Sequence, residues 1–229
     1  CRWPRSSRSG VMKMIKAVLF DMDGTLLDTL GDLEHSVNHA MRTMGFPERS
    51  RDEVRRAVGN GVINLIRRSL PEGTPEESVR RALAIFRDYY ERHDRVYTKP
   101  YPGIKELIAA LRDDGYELAI VSNKFDGAVK ELDRAFFGIG TAVGETPERP
   151  RKPAPDMVFA ALDELGCRSG EAVYIGDTEV DLATARNSGC TPLLAAWGFR
   201  TMEELTALGG GFQIAGSAAE ALEIIRRLG

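Results

Sequence analysis

Four short apolar runs constrain this chain more than any other feature. Lys16 to Phe20 (KAVLF), Glu117 to Val121 (ELAIV), Glu171 to Ile175 (EAVYI) and Thr191 to Ala195 (TPLLA) are each strand-length and largely apolar on both faces. Strands with one wet face alternate in polarity; strands covered by helices on both sides read like these four. Helical periodicity lies between them. Ile104, Leu107, Ile108 and Leu111 repeat at i, i+3, i+4, i+7 before Gly115. Val158, Ala161, Leu162 and Leu165 repeat the spacing before Gly166, and Leu222, Ile225 and Leu228 line a last helix. A glycine after the last apolar position is a common helix stop. Strands alternating with helices predict an α/β fold, a doubly wound parallel sheet of the Rossmann-like kind.

The alternation breaks once. From Asp28 to Thr98 the pattern is helical throughout, with no convincing strand. Leu33, Val37, Ala40, Met41 and Met44 form one stripe, and Val79, Leu83, Phe86 and Tyr90 another. Pro100-Tyr101-Pro102-Gly103 then marks a loop back to the sheet. We expect an all-helical insertion over residues 28–98, hinged near Asp28 and Lys99, in a core made of residues 15–27 and 99–229. Residues 1–14 stand apart and are expected to be a disordered extension or a cloning remnant, the native start falling at Met12 or Met14.

Composition removes several function classes. Lys plus Arg number 31 against 34 Asp plus Glu, a formal net charge of −3, so no basic surface for nucleic acid is signalled. No apolar run approaches the ~18 residues of a membrane helix. Cys1, Cys167 and Cys190 are far apart, with neither zinc spacing nor a disulfide framework, which fits a reducing cytosol. A cytoplasmic protein with a small-molecule partner, acting as a monomer or homodimer, is the expectation.

In open α/β sheets ligands bind at the carboxyl ends of the strands. Asp21-Met22-Asp23-Gly24-Thr25 follows the first run and Ser122-Asn123 the second. Arg151-Lys152-Pro153 precedes the helix after Pro155, and Gly176-Asp177-Thr178-Glu179-Val180-Asp181 follows the third run. The fold would gather four carboxylates, a hydroxyl and a lysine. Crowded carboxylates need a cation, and all-oxygen donors favour a hard ion such as Mg²⁺. A phosphate dianion would add repulsion of roughly 4 kcal/mol per unit pair at ~4 Å. Mg²⁺ and Lys152 would offset three charges, so the cluster makes electrostatic sense for phosphoryl transfer. Alternate residues of an extended chain point apart. A turn at Gly24 is therefore needed before Asp21, a candidate nucleophile, and Asp23, a candidate acid and base, can reach one substrate.

The segment Asp21-Met22-Asp23-Gly24-Thr25-Leu26-Leu27-Asp28-Thr29 resembles the first motif of the haloacid dehalogenase superfamily of phosphatases. Ser122, Lys152-Pro153, and Gly176-Asp177 with Asp181 resemble the second, third and fourth motifs in order, and the helical insertion resembles the family's cap domain. Gly59-Asn60-Gly61 and Thr98-Lys99-Pro100-Tyr101-Pro102-Gly103 look like the phosphoglycolate phosphatase branch. The resemblance implies that Asp21 is nucleophile and Mg²⁺ ligand, and that Asp23 is acid and base and lends its backbone carbonyl to the metal. It implies that Ser122 bonds the phosphoryl oxygens, that Lys152 neutralises Asp21 and phosphate, that Asp177 ligates Mg²⁺, and that Asp181 supports the metal or its waters. Gly24, Thr25 and Asn123, with Gly59, Asn60 and Gly61 of the cap, are the candidate substrate and phosphate contacts.

Other features have plainer readings. His35 and His39 lie four apart, which imitates a metal pair, but no acidic or cysteine partner accompanies them, so a cap-helix face is expected. Arg55, Arg56, Arg67 and Arg68 read as solvated helix positions, and Glu179 as an exposed first-turn acid. Gly59-Asn60-Gly61 lacks the preceding strand and third glycine of a dinucleotide loop, and no P-loop sequence exists. The implied function is a Mg²⁺-dependent phosphomonoesterase working through an aspartyl-phosphate, with 2-phosphoglycolate as the leading substrate. A pyrophosphatase or phosphosugar mutase of the same superfamily is the alternative; Thr25, where such mutases usually carry Val, leans away from the mutase. A non-catalytic phosphometabolite-binding module would be expected to lack Asp21 or Asp23, and both are present.

Overall fold

The computed structural model describes residues 14–59 and 61–229. In chain order the elements are β1 (Ala17–Phe20), β2 (Leu27–Asp28), α1 (Leu30–Thr43), α2 (Arg51–Ala57), α3 (Val62–Ser69), α4 (Glu76–His93), β3 (Lys99–Pro100) and α5 (Ile104–Asp113). There follow β4 (Glu117–Phe125), α6 (Asp126–Phe136), β5 (Thr141–Glu145), α7 (Asp156–Leu165) and β6 (Ala172–Gly176). The chain closes with α8 (Glu179–Ser188), β7 (Thr191–Ala195), α9 (Met202–Thr206), β8 (Gln213–Ala215) and α10 (Ala218–Leu228).

Among the described residues, six strands form one parallel sheet in the order β5-β4-β1-β6-β7-β8. The first strand in the chain is thus central, flanked by β4 and β6, which places Asp21 in the middle of the sheet's carboxyl edge. The period-two rule divides each buried strand between two cores. Val18 and Phe20 of β1 join Ile120, Val173, Ile175 and Leu193 under α5, α6 and α10. Ala17 and Leu19 join Ala119, Val121 and Tyr174 under α7 and α8. Each buried Leu, Ile, Val or Phe contributes roughly 1.5–3 kcal/mol, so the double cover holds the strand ends rigidly. This is the doubly wound α/β core that the apolar runs predict.

Five elements depart from the sequence expectation. β5 (TAVGE) and β8 (QIA) are the outer strands of the sheet, and neither has the continuous apolar run of an inner strand. β2 and β3 make a two-residue antiparallel ribbon, Leu27 opposite Pro100 and Asp28 opposite Lys99, at the two points where the insertion leaves and rejoins. In α10 the buried face is Ala218, Ala221, Ile224 and Ile225, while Leu222 and Leu228 are only partly covered.

The insertion is α1 to α4, packed on a core of its own from Leu33, Val37, Met41, Leu65, Val79, Leu83 and Phe86. Both predicted stripes lie in that core, with Met44 and Tyr90 at its margin. Buried Asp32 in the first turn of α1 accepts hydrogen bonds from Tyr97 N (2.9 Å), Thr98 N (2.8 Å) and Thr98 Oγ1 (2.6 Å). One carboxylate thereby ties the start of the insertion to its end. No helix among the described residues is long and apolar enough to cross a membrane.

Candidate active site

Asp21 extends β1 by one residue, its N–H bonded to Ile175 O at 2.8 Å. The chain then turns sharply: the Met22 carbonyl accepts from Leu26 N (3.0 Å) and Leu27 N (2.9 Å). Gly24 stands at φ +89°, and a Cβ there would lie 2.3 Å from Asp177 Oδ2 and 2.5 Å from the Phe199 ring, so both conformation and space demand glycine. The turn brings Asp21 and Asp23 to the wall of one cavity, as the DxD spacing requires.

Asp177 follows β6, the neighbouring strand. Its Oδ1 accepts from Thr25 Oγ1 at 3.1 Å and its Oδ2 from Phe199 N at 2.7 Å. Asp181, in the first turn of α8, accepts at Oδ2 from Asp177 N (3.2 Å), Thr178 N (3.1 Å) and Thr178 Oγ1 (2.7 Å). The Lys152 ammonium lies between the groups, 2.7 Å from Asp21 Oδ1 and 2.7 Å from Asp181 Oδ1. Asn123 clamps the backbone of that lysine: Lys152 N donates to Asn123 Oδ1 at 2.7 Å, and Asn123 Nδ2 donates to Lys152 O at 3.2 Å. The Asn123 side chain thus orients Lys152 and the Thr25 hydroxyl orients Asp177.

Carboxylate oxygens of Asp21, Asp177 and Asp181 lie within 4.8 Å of one another, and all three residues are buried. Burial pushes Asp21 up to about 7, against the pull of Lys152. Burial, reinforced by the charges of Asp181 and Asp21, holds Asp177 well above the usual carboxylate range. Burial opposes the charged form of Lys152 too, but Asp181 and Asp21 more than offset it and raise the ammonium well above the lysine range. Asp23 lies outside the trio, with Oδ1 3.3 Å from Lys124 Nζ. Four carboxylates against two ammoniums leave two uncompensated negative charges. The donors are all oxygens, and burial makes two of the acids, Asp21 and Asp177, hold a proton more tightly than usual. That donor set fits a hard divalent cation such as Mg²⁺.

Buried Ser122, on β4, accepts from Lys124 N at 3.2 Å, which leaves the hydroxyl proton free to be donated. The cavity, of about 890 Å³, is floored by Asp21, Asp23, Ser122 and Lys152 and roofed by Leu33, Leu83, Phe86 and Tyr90 of the insertion.

The roof is tied down by contacts that local patterns do not announce. Arg55 of α2 bonds the Phe199 carbonyl and pairs with Glu204 at 3.0 Å, so it is an anchor and not the solvated position expected of it. Arg200 bonds Val58 O at 2.9 Å and Glu179 at 3.0 Å. Gly59 and Gly61 line the cavity; a Cβ on Gly61 would meet Arg151 Nη1 at 2.1 Å, so glycine admits the guanidinium here. The expectation for Asn60 falls outside the described residues, as does that for residues 1–13. His35 and His39 stack on Tyr97 and Tyr89, with ring centres 4.5 and 4.1 Å apart, consistent with a helix face. Local pattern singles out none of Lys124, Phe199 and Arg200, and assigns Tyr90 only to a helical stripe. Phe199 was within reach of the strand-end rule, since it lies in the loop after β7.

A doubly wound sheet with an acid cluster at its carboxyl edge and a helical insertion over it defines a class, and residues 18–195 match the haloacid dehalogenase-like hydrolase family. The chain belongs to that family. It is similar to the phosphoglycolate phosphatase of Aquifex aeolicus, with 34% identity over 190 residues covering 81% of this chain and 86% of that protein. It is similar also to the phosphoglycolate phosphatase of Vibrio vulnificus strain YJ016, with 32% identity over 222 residues, 92% of this chain and 96% of that one. Among solved structures, a candidate phosphoglycolate phosphatase from Lactobacillus delbrueckii subsp. bulgaricus superposes with a TM-score of 0.88 at 35% identity, covering 93% of this chain and 98% of that chain.

Proposed function

We propose that the protein is a Mg²⁺-dependent phosphomonoesterase that carries the phosphoryl group on Asp21, with 2-phosphoglycolate as its substrate. The observation behind the reading is the position of Asp21: the end of the central strand, 2.7 Å from a buried lysine and within 4.8 Å of two further acids, on the floor of a roofed cavity. The substrate follows the names of the relatives above. The helical insertion serves as a cap that excludes bulk water and meets the leaving group.

The chain's own groups divide the work. Lys152 holds Asp21 in place and offsets its repulsion with the dianion, roughly 4 kcal/mol for a unit pair at ~4 Å. Ser122 donates to a phosphoryl oxygen. Asp21 forms an O–P bond as the ester O–P bond breaks, and Asp23 passes its proton to the departing alkoxide. The Asp23 carboxylate then takes a proton from water, whose oxygen attacks phosphorus; inorganic phosphate leaves and Asp21 is restored. Asp21, Asp177 and the backbone carbonyl of Asp23, supported by Asp181, would hold the Mg²⁺. When bound, the ion would supply positive charge that offsets the repulsion between carboxylate and phosphoryl group.

A phosphate-release screen with Mg²⁺ over phosphoglycolate, pyrophosphate and hexose phosphates tests the reading. The expected result is a highest kcat/KM for phosphoglycolate and none for the Asp21→Asn variant. Preferred release from pyrophosphate, or isomerised sugar phosphate with little free phosphate, would overturn it.

A further inference from the structure

Tyr90, Lys124 and Asp23 form a chain of contacts from the insertion into the core. Tyr90 belongs to α4, where its ring stacks on Phe86 with centres 5.3 Å apart and so moves with the insertion. Its hydroxyl accepts from Lys124 Nζ at 2.7 Å, and the same ammonium lies 4.8 Å from the centre of the Tyr90 ring. Lys124 Nζ is also 3.3 Å from Asp23 Oδ1, an oxygen buried without an aligned hydrogen-bond donor among the described residues. The Lys124 side chain is 12% exposed, so this pair is largely withdrawn from water.

We propose that Lys124, held by Tyr90, is a positioning residue that aims the Asp23 carboxyl at the leaving-group oxygen when the helical insertion is closed. The inference rests on the phosphomonoesterase reading and adds two residues to it. A carboxyl on a turn has several rotamers, and proton transfer needs it within hydrogen-bond reach of the departing oxygen. Lys124 selects one of them by charge. Tyr90 fixes where Lys124 stands, and Tyr90 is in place only with the insertion down. In the step served, the ester O–P bond breaks, its electron pair goes to the leaving oxygen, and the Asp23 proton follows. The ammonium stabilises the carboxylate left behind.

The need for that proton depends on the leaving group. An alkoxide is too basic to depart unprotonated, whereas p-nitrophenolate departs readily without help. The variants Y90F and K124M are compared with R55A, which loosens the insertion without touching Asp23. For each, kcat and KM are measured on p-nitrophenyl phosphate and on the best alkyl phosphate from the release screen. The ratio of alkyl to aryl kcat should fall on the order of tenfold in Y90F and ~10²-fold in K124M, the low end of general acid catalysis. In R55A both substrates should decline together, mainly through KM. Parallel losses on both substrates in Y90F and K124M, or an unchanged ratio, would overturn the proposal while the phosphatase reading stands. A wild type inactive on both substrates, or an active Asp21→Asn variant, would sink the phosphatase reading and this inference with it.

Discussion

Replacing Lys152 by Met keeps length and removes charge at the most confined cation of the site. The ammonium is 2.7 Å from Asp21 Oδ1 and 2.7 Å from Asp181 Oδ1, and its side chain is 3% exposed. Removing one partner of a buried pair costs about 3–5 kcal/mol. For a chain of this length that lowers Tm by roughly 6–20 °C, at 2–4 °C per kcal/mol. The chemical loss is separate. A unit charge ~4 Å from the transferring group is worth about 4 kcal/mol at an effective dielectric near 20, or roughly 10³-fold in kcat. The assays are calorimetry of the metal-free protein at neutral and mildly alkaline pH, and phosphate release at saturating Mg²⁺. K152M should lose further Tm as the pH is raised above neutral, because Asp21, freed from the pull of Lys152, keeps its proton at neutral pH and becomes an unpaired buried charge only above it. A K152M enzyme with turnover within a few-fold of wild type would refute the electrostatic argument.

The remaining predictions concern neighbouring groups. Ser122→Ala should lower kcat on the order of 10²-fold with little change in Tm, as the loss of one transition-state donor does; an unchanged kcat removes Ser122 from the site. Mg²⁺ at a hundredfold excess over its Kd should stabilise the protein by about 2.7 kcal/mol, a Tm rise of roughly 5–10 °C, and Asp177→Asn should abolish most of it; an equal rise in that variant would exclude Asp177 as a ligand. In the metal-free protein Asp21 is raised from 3.8 to about 7, so the folded state binds a proton that the unfolded state releases. That contribution is full below pH 3.8 and is lost as pH climbs through about 7, so the stability of wild type relative to Asp21→Asn should decline across this window. A difference that is flat or rises with pH contradicts it.

The parts legible in the sequence are those fixed by local pattern. β1, β6 and β7 announce themselves because both of their faces are buried, which leaves little but apolar side chains. The strand-end rule then points to Asp21, Ser122 and Asp177, while Lys152 is found only by its place before the helix after Pro155 and by the family resemblance. β5 and β8 are hidden for the converse reason: outer strands need less apolar surface, and Gly144 interrupts one while the other has three residues in a glycine-rich loop. The roles of Tyr90 and Arg55 depend on residues distant in the chain, Lys124 for the first and Phe199 with Glu204 for the second. No spacing within a helix encodes such a meeting. Asn123 shows the limit from another side: nothing local reveals that its side chain meets the backbone of Lys152, 29 residues on.

The central claim is that Asp21 accepts the phosphoryl group. Acid quenching of the Mg²⁺-loaded enzyme during turnover, followed by peptide mass spectrometry, tests it most directly. One phosphoryl group on the peptide bearing Asp21, absent from the Asp21→Asn variant, is the expected result. A phosphoryl group on another residue, or turnover that persists in Asp21→Asn, would contradict the account.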